Sequence, residues 1–291
     1  MRFQFIDDHR EAFPVSRMCK VLDVSRSGYY AWRGRSPSER EMANRELYKK
    51  IKDVYDTSHG TYGSPRVHQK LQRGGIACSE NRVARLMRLR GLRARQTKTY
   101  KTTTKRNKAD PVAPNVLKRD FEAERPNEKW VADITYIPTE EGWLYLAVTL
   151  DLFSRRVVGW AMSDRMTSDL TTNALRMAFH QREIDSPLVH HSDQGSQYTD
   201  RDYRQMLRDR GIEVSMNGVG TWYDNAPVES FFGTLKSEWV HHRTYQTRQE
   251  ARTDLFYYIE AFYNRRRLHS ALGYVSPETY EQLYHQGADL P

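Results

Sequence analysis

Cysteine is scarce: Cys19 and Cys78 stand alone in 291 residues. Two isolated thiols build neither a disulfide framework nor the paired spacing of a zinc site, so both are expected to be structural. Long apolar runs are missing too. No stretch approaches the ~18 residues that a membrane-spanning helix needs, and the opening Met1-Arg2-Phe3-Gln4-Phe5-Ile6-Asp7-Asp8 has no leader pattern. A cytoplasmic chain without a membrane partner is expected. Acidic residues are absent from Arg93 to Lys108, where seven of sixteen residues are Lys or Arg and threonines fill the gaps. Such a stretch cannot bury enough apolar surface to fold by itself. Residues 95–125 therefore read as a basic linker that orders on nucleic acid through Lys98, Lys101, Lys105 and Arg106, or else as a plain flexible spacer.

What is present divides by charge. Residues 1–110 hold 26 Lys and Arg against 11 Asp and Glu, a balance of +15, whereas residues 111–291 hold 20 against 26, a balance of −6. A basic half joined to an acidic half suggests one part that holds nucleic acid and another that holds metal. The hydrophobic share of 38% can build one large domain with smaller ones attached.

The basic half reads as two helical units. Residues 1–36 form a helix-turn-helix-like segment: a helix over Val15–Leu22, a turn at Asp23-Val24, and a second helix led by Ser25. Met18, Val21, Leu22 and Val24 are its expected core, with Arg17, Arg26, Arg33 and Arg35 outward for phosphates; a simple helical hairpin is the alternative. In residues 37–94 a long helix from Ser38 toward Tyr55 carries Leu47 and Ile51, followed by a helix from Pro65 with Val67 and Leu71. A further helix from Ser79 carries Val83, Leu86, Met87 and Leu89, with Arg82, Arg85, Arg88 and Arg90 as candidates for phosphate contact.

Residues 126–286 read β-β-β-α-β-α-β-α-α, with strands near 130–137, 143–152, 155–162, 187–192 and 212–216 and helices near 168–183 and 200–210. Alternation along the first strand turns Asp133, Thr135 and Ile137 to one face. An ionised carboxylate inside a strand is costly unless paired or metal-bound, so Asp133 requires a partner. Asp193 closes the apolar run Leu188-Val-His-His-Ser-Asp before a glycine turn. A third acid, Glu229, lies near the start of a helix whose Val228, Phe231, Leu235 and Trp239 form a buried stripe. Asp224 is placed to cap that helix and Pro227 falls in its first turn. Lys236 follows two turns later on the side of Glu229, where the pair is either functional or a solvated surface couple.

The stretches His191-Ser-Asp-Gln-Gly-Ser-Gln-Tyr198, Asp224-Asn-Ala-Pro-Val-Glu-Ser-Phe-Phe-Gly-Thr-Leu-Lys236 and Tyr263-Asn-Arg-Arg-Arg-Leu-His-Ser-Ala-Leu-Gly273 resemble the second-frame transposase product of the insertion-sequence-three family, within the DDE integrase superfamily. Thirty-five residues separate Asp193 from Glu229, the interval that marks that family's acidic triad. The resemblance covers nearly the whole chain and implies an α/β fold, a ribonuclease-H-like integrase catalytic core with a mixed five-stranded sheet and helices on both faces, preceded by small all-α modules. It implies that Asp133, Asp193 and Glu229 are catalytic and hold two Mg²⁺ ions, with Mn²⁺ as substitute, for DNA strand nicking and strand transfer. Lys236 stands where the family often has a basic residue, and Arg265, Arg266 and Arg267 join the DNA-binding candidates. Double-stranded DNA of transposon ends and target, further copies of the chain on DNA, and an upstream-frame product or frameshift fusion are the implied partners. The implied location is the bacterial cytoplasm, with the nucleoid.

Three other readings use the same residues. A ribonuclease-H-like nuclease or resolvase shares the acids but cuts without joining, and a helix-turn-helix regulator needs none of them. A covalent recombinase would need an activated nucleophile; Tyr263 beside Arg265–Arg267 is the one tempting place, yet it also continues a helical stripe with Phe256 and Ile259. His190 and His191 beside Asp193 are either general bases or core and hydrogen-bonding residues, and metal activation does not require them.

Overall fold

The computed structural model describes residues 2–95, 113–185, 187–217 and 225–291. Its centre is a five-stranded sheet. β1 (Lys129–Thr139), β2 (Gly142–Asp151) and β3 (Val157–Ser163) form an antiparallel meander, and β4 (Val189–Ser192) and β5 (Glu213–Met216) run parallel to β1. The order across the sheet is β3-β2-β1-β4-β5. The turn between β1 and β2 is tight because Gly142 adopts φ 102°, a left-handed value that glycine reaches without strain.

Both faces of the sheet are covered by helices, as alternation within β1 requires. Trp130 and Ala132 face Leu175 and Ala178 of α7 (Ser168–Gln181) and Tyr203 and Leu207 of α9 (Arg201–Arg208). Val131 and Ile137 face Val228, Phe231, Phe232 and Leu235 of α10 (Ala226–Glu238), with α11 (Arg248–Phe256) beside it. α7 lies so close to β3 that a Cβ on Gly159 would sit 2.2 Å from the Ala174 carbonyl oxygen. After α11 the chain winds as a π-helix over Tyr257–Tyr263. The extra residue per turn rotates the stripe, so Tyr258, Ile259, Phe262 and Tyr263 are buried and Phe256, expected among them, is exposed. α12 (Pro277–His285) is fastened back through Glu281, which accepts from Ser154 Oγ at 2.6 Å and Arg156 Nη1 at 2.8 Å and also pairs with Arg182.

The basic half begins with a helix that periodicity did not reveal, α1 (Arg2–Asp8), whose Ile6 packs with Met18, Cys19 and Tyr29. α2 (Val15–Val21) and α3 (Arg26–Arg33) follow, Ser25 capping α3 through the Gly28 N–H. Val21, expected in this core, is 78% exposed. The buried set Val15, Met18, Cys19 and Leu22 follows helical spacing, and position 21 falls off that stripe. Leu89 departs for the same reason: Val83, Leu86 and Met87 face inward from α6 (Glu80–Leu89) and Leu89 points away.

α4 (Glu39–Thr57), α5 (Ser64–Arg73) and α6 do not form a separate core. Leu47, Ile51, Tyr62, Val67 and Leu71 join one apolar cluster with α10 and the π-helical turn. Tyr62 Oη donates to the Arg266 carbonyl at 3.0 Å and accepts from the Leu268 N–H at 2.8 Å. Residues 113–125, expected as the end of a linker, run against the sheet. The Val116 and Leu117 N–H groups donate to Ser215 Oγ at 2.9 and 3.1 Å, and Leu117 is buried. Among the described residues no helix is long and apolar enough to cross a membrane.

Candidate active site

Strand register brings the two aspartates together. Ala132 of β1 and Ser192 of β4 are the last parallel partners, so Asp133 and Asp193 occupy the next step on neighbouring strands. On its other side Asp133 is paired with Val148 of β2. β4 ends there because Asp193 Oδ1 accepts the Gly195 N–H at 2.9 Å, bending the chain; a Cβ at Gly195 would lie 2.9 Å from that oxygen. Asp133 Oδ1 accepts the Ile134 N–H at 2.7 Å. The third acid arrives on α10. Asn225 is buried at the head of that helix and donates from Nδ2 to the Ala132 carbonyl at 3.4 Å, which ties the first turn, and with it Glu229, to the Asp133 strand. Asn225 takes the cap position without a side-chain cap bond. Asp224, expected there, lies outside the described residues, and Pro227 falls in the first turn as expected.

The charges of these groups interact. Burial, then the charge of Asp193, push the Asp133 carboxyl well above the usual range; the Ile134 N–H opposes this, Glu229 adds to it and Lys236 opposes it. Burial also raises Asp193 and Glu229, with the Gly195 N–H holding Asp193 down. Lys236 is lowered by burial and raised by Asp133. Its Nζ sits 4.6 Å from the centroid of the Tyr136 ring.

Carboxylates that each resist ionisation through loss of water, Asp133 also through the charges of Asp193 and Glu229, are a donor set that a hard divalent cation with its preference for oxygen ligands relieves. Asp133, Asp193 and Glu229 fit such a cation in kind. Among the described residues no three acidic, histidine or cysteine side chains converge closely enough to ligate one ion together.

Around the acids lie residues that sequence reading did not single out. Tyr198 ends the first motif, is buried on α8 (Ser196–Thr199) and among the described residues leaves its hydroxyl without a hydrogen-bond partner. Burial, then Tyr203, Asp133 and Asp193, raise that hydroxyl well above its ordinary value. Asn225 was visible only as a neighbour of Glu229, although a short amide before Ala-Pro marks a helix entry. The histidines are structural. His190 Nε2 pairs with Tyr203 Oη at 3.1 Å and burial lowers it to about 3, while His191 bonds Ser215 Oγ at 2.8 Å and Asn217 Oδ1 at 2.6 Å. Tyr263 is buried, donates to the Arg155 carbonyl at 3.0 Å and is pushed up to about 12 by burial, so it is no nucleophile.

The DNA-binding candidates separate by depth. Arg17, Arg26, Arg33, Arg85, Arg265 and Arg266 are exposed, Arg33 also reaching Asp7 at 3.4 Å. Arg82 is half-buried and spends its Nε on Asn44 at 2.9 Å. Arg267 is not available to DNA: it is 3% exposed and grips Glu238 with Nε and Nη2 at 2.7 and 2.6 Å. A buried guanidinium must be paired, and Glu238 is its pair. Lys98, Lys101, Lys105 and Arg106 lie outside the described residues.

Comparison with known proteins decides the family. Models of an integrase core domain match residues 123–221 and 229–283, and one of an HTH-like domain matches residues 42–100. The "Transposase InsF for insertion sequence IS3A" of Escherichia coli strain K12 is 41% identical over 283 residues, covering 97% of this chain and 98% of its own. The chain belongs to the IS3 family of transposases. The "Insertion element IS600 uncharacterized 31 kDa protein" of Shigella sonnei is 45% identical to this IS3-family transposase over 271 residues, 93% of the chain and 100% of the relative. Among solved structures the HTLV-2 integrase catalytic core domain in complex with magnesium matches at 17% identity and TM-score 0.43, over 54% of this chain and 98% of that one. A simian T-cell lymphotropic virus intasome matches at 15% and 0.46, over 83% and 77%. The transposase thus has a ribonuclease-H-like integrase core behind a helical amino-terminal region, and it is a polynucleotidyl transferase of the DDE type.

Proposed function

We propose that Asp133, Asp193 and Glu229 are the catalytic acids of this transposase and together hold two divalent cations, Mg²⁺ with Mn²⁺ as substitute. One observation carries this: the Ala132/Ser192 register sets two half-buried carboxylates on adjoining strands, and α10 brings Glu229 within reach of the Asp133 charge. When bound, the cations polarise the phosphodiester and favour the oxygen nucleophile. Asp133 and Asp193 fix their place from two rigid strands, Glu229 closes the site from the helix, and Lys236 holds a phosphate oxygen beside Asp133. The substrate is double-stranded DNA, nicked at the transposon end and joined to target. Residues 1–36 and 37–94 grip duplex through Arg17, Arg26, Arg33, Arg85 and their neighbours, residues 95–112 of the basic linker continue the track, and the core extends over 126–286. Several copies assemble on the DNA, with an upstream-frame product or as a frameshift fusion, in the bacterial cytoplasm with the nucleoid.

Strand transfer on candidate terminal repeats, with Mg²⁺ or Mn²⁺, tests the assignment. Asp133→Asn, Asp193→Asn and Glu229→Gln each abolish nicking and joining while leaving affinity for DNA near that of the wild type. Transfer retained by one variant removes that residue from the site. Cutting without joining by the wild type would indicate a nuclease.

A further inference from the structure

Two large aromatic rings stand exposed on the β1–β2 hairpin, on the same strand pair that carries Asp133. Tyr136 is 41% exposed and Trp143 49%, and they meet edge to face with centroids 4.8 Å apart and planes at 73°. They are diagonal neighbours across the β1–β2 hairpin, since Tyr136 pairs with Tyr145 and Pro138 with Trp143. The hairpin is held rigid from outside: Arg248 Nε donates to the Trp143 carbonyl at 3.1 Å, the Arg248 N–H to Glu141 Oε2 at 2.8 Å, and the Glu140 N–H to the Tyr245 carbonyl at 3.0 Å. The rings are therefore presented by a fixed backbone, and among the described residues no aromatic side chain is stacked flat on either. Lys236 links this corner to the site, its ammonium lying over Tyr136 while its charge acts on Asp133.

We propose that Tyr136, Trp143 and Lys236 form a pocket corner for one unpaired nucleobase adjoining the phosphodiester that is cut, the base stacking on the rings and its phosphate meeting the ammonium. The proposal rests on the DNA-processing reading above and adds a ligand contact to it. Flat aromatic faces next to a cation are the elements of single-strand recognition, and base stacking there tolerates any sequence. Fully paired duplex offers no free base face except at its end. A second protein copy is a poor occupant, because two rings fall far short of the roughly 800 Å² per partner that a stable interface covers.

The test uses the full chain and two probes: a blunt duplex, and the same duplex ending in a short single-stranded tail with 2-aminopurine at the junction. The wild type quenches the 2-aminopurine on binding. Trp143→Ala and Tyr136→Ala each lose the quenching and weaken the tailed probe by roughly tenfold, while the blunt probe is bound as before and Trp143→Phe restores most of the effect. Thermal melting confirms that these surface variants stay folded. Unchanged quenching and affinity in Trp143→Ala overturn the proposal. So does an equal loss on both probes, which would mark a general DNA surface, or a changed oligomeric state, which would mark a protein contact. The readout involves no cleavage, so a wild type that fails to nick or join while still quenching separates failure of the catalytic assignment from failure of this one.

Discussion

Asp151, at the end of β2, is fully buried where Asp133 and Asp193 are half-buried, and shows what burial does without a catalytic role. Its oxygens accept the Asn127 and Phe153 N–H groups at 2.8 and 2.9 Å, yet burial pushes its carboxyl up to about 6, with Arg182 pulling down and Glu281 pushing up. Between about pH 4 and 6 the native state therefore binds a proton that the unfolded chain has released, and stability from this group falls as pH rises through that window and levels off above it. Two pKa units correspond to about 3 kcal/mol. Asp151→Asn removes the dependence, so the stability of variant minus wild type, from denaturant melts, grows by an amount of that order between about pH 4 and 7. A difference that stays flat with pH would assign the carboxylate no such cost. At this scale the three acids proposed as catalytic could be picked out, because each sits in a short context of strand end or helix start that a sequence prints. Depth was not: nothing in Arg265-Arg266-Arg267 says that the last is buried, since its burial depends on Glu238, twenty-nine residues away in the chain.

Elements were legible wherever periodicity was strong. The five strands, α7, α9 and α10 fall within a few residues of their expected bounds because pleat and helix periods are written directly in the hydrophobic pattern. α1 was missed because a seven-residue helix offers too few turns for a stripe, and the π-helical turn because its spacing mimics an ordinary helix that drifts. The joint between elements most exposed to test is Glu238 of α10, which is 4% exposed and carries Arg267 together with Arg66 of α5 at 3.2 Å. Glu238→Ala leaves Arg267 buried and uncompensated and should destabilise the fold by about 3–5 kcal/mol. Arg66→Ala, which strips the outer and more accessible partner, should cost clearly less. Chemical denaturation measures both; a Glu238→Ala protein of wild-type stability would mean that the guanidinium escapes to water.

For the whole molecule, the division of charge predicts how it meets DNA. Affinity of the full chain for duplex should fall steeply with salt, and replacing Arg17 or Arg26 by alanine should reduce the slope of log affinity against log salt by about 0.9 for each phosphate no longer neutralised. A shallow slope for the wild type would leave the +15 balance as mere surface charge. The charge balance was readable from composition, but the union of the two halves was not, because the hydrogen bonds that make it, such as those of Tyr62 with Arg266 and Leu268, span about two hundred residues of sequence.

That union gives the transposase a built-in caliper. With α4–α6 and the helices around the acids sharing one apolar core, Arg85 on one jaw and the three acids on the other stand at a set span, whereas Arg17, Arg26 and Arg33 belong to the separate core of α1–α3. Where the first jaw closes on a duplex, the second meets the backbone a constant number of base pairs away. On the proposed assignments the position of the cut is then set by the protein's own dimensions: shifting the gripped sequence by half a helical turn should present the opposite side of the DNA to the acids and leave the end uncut.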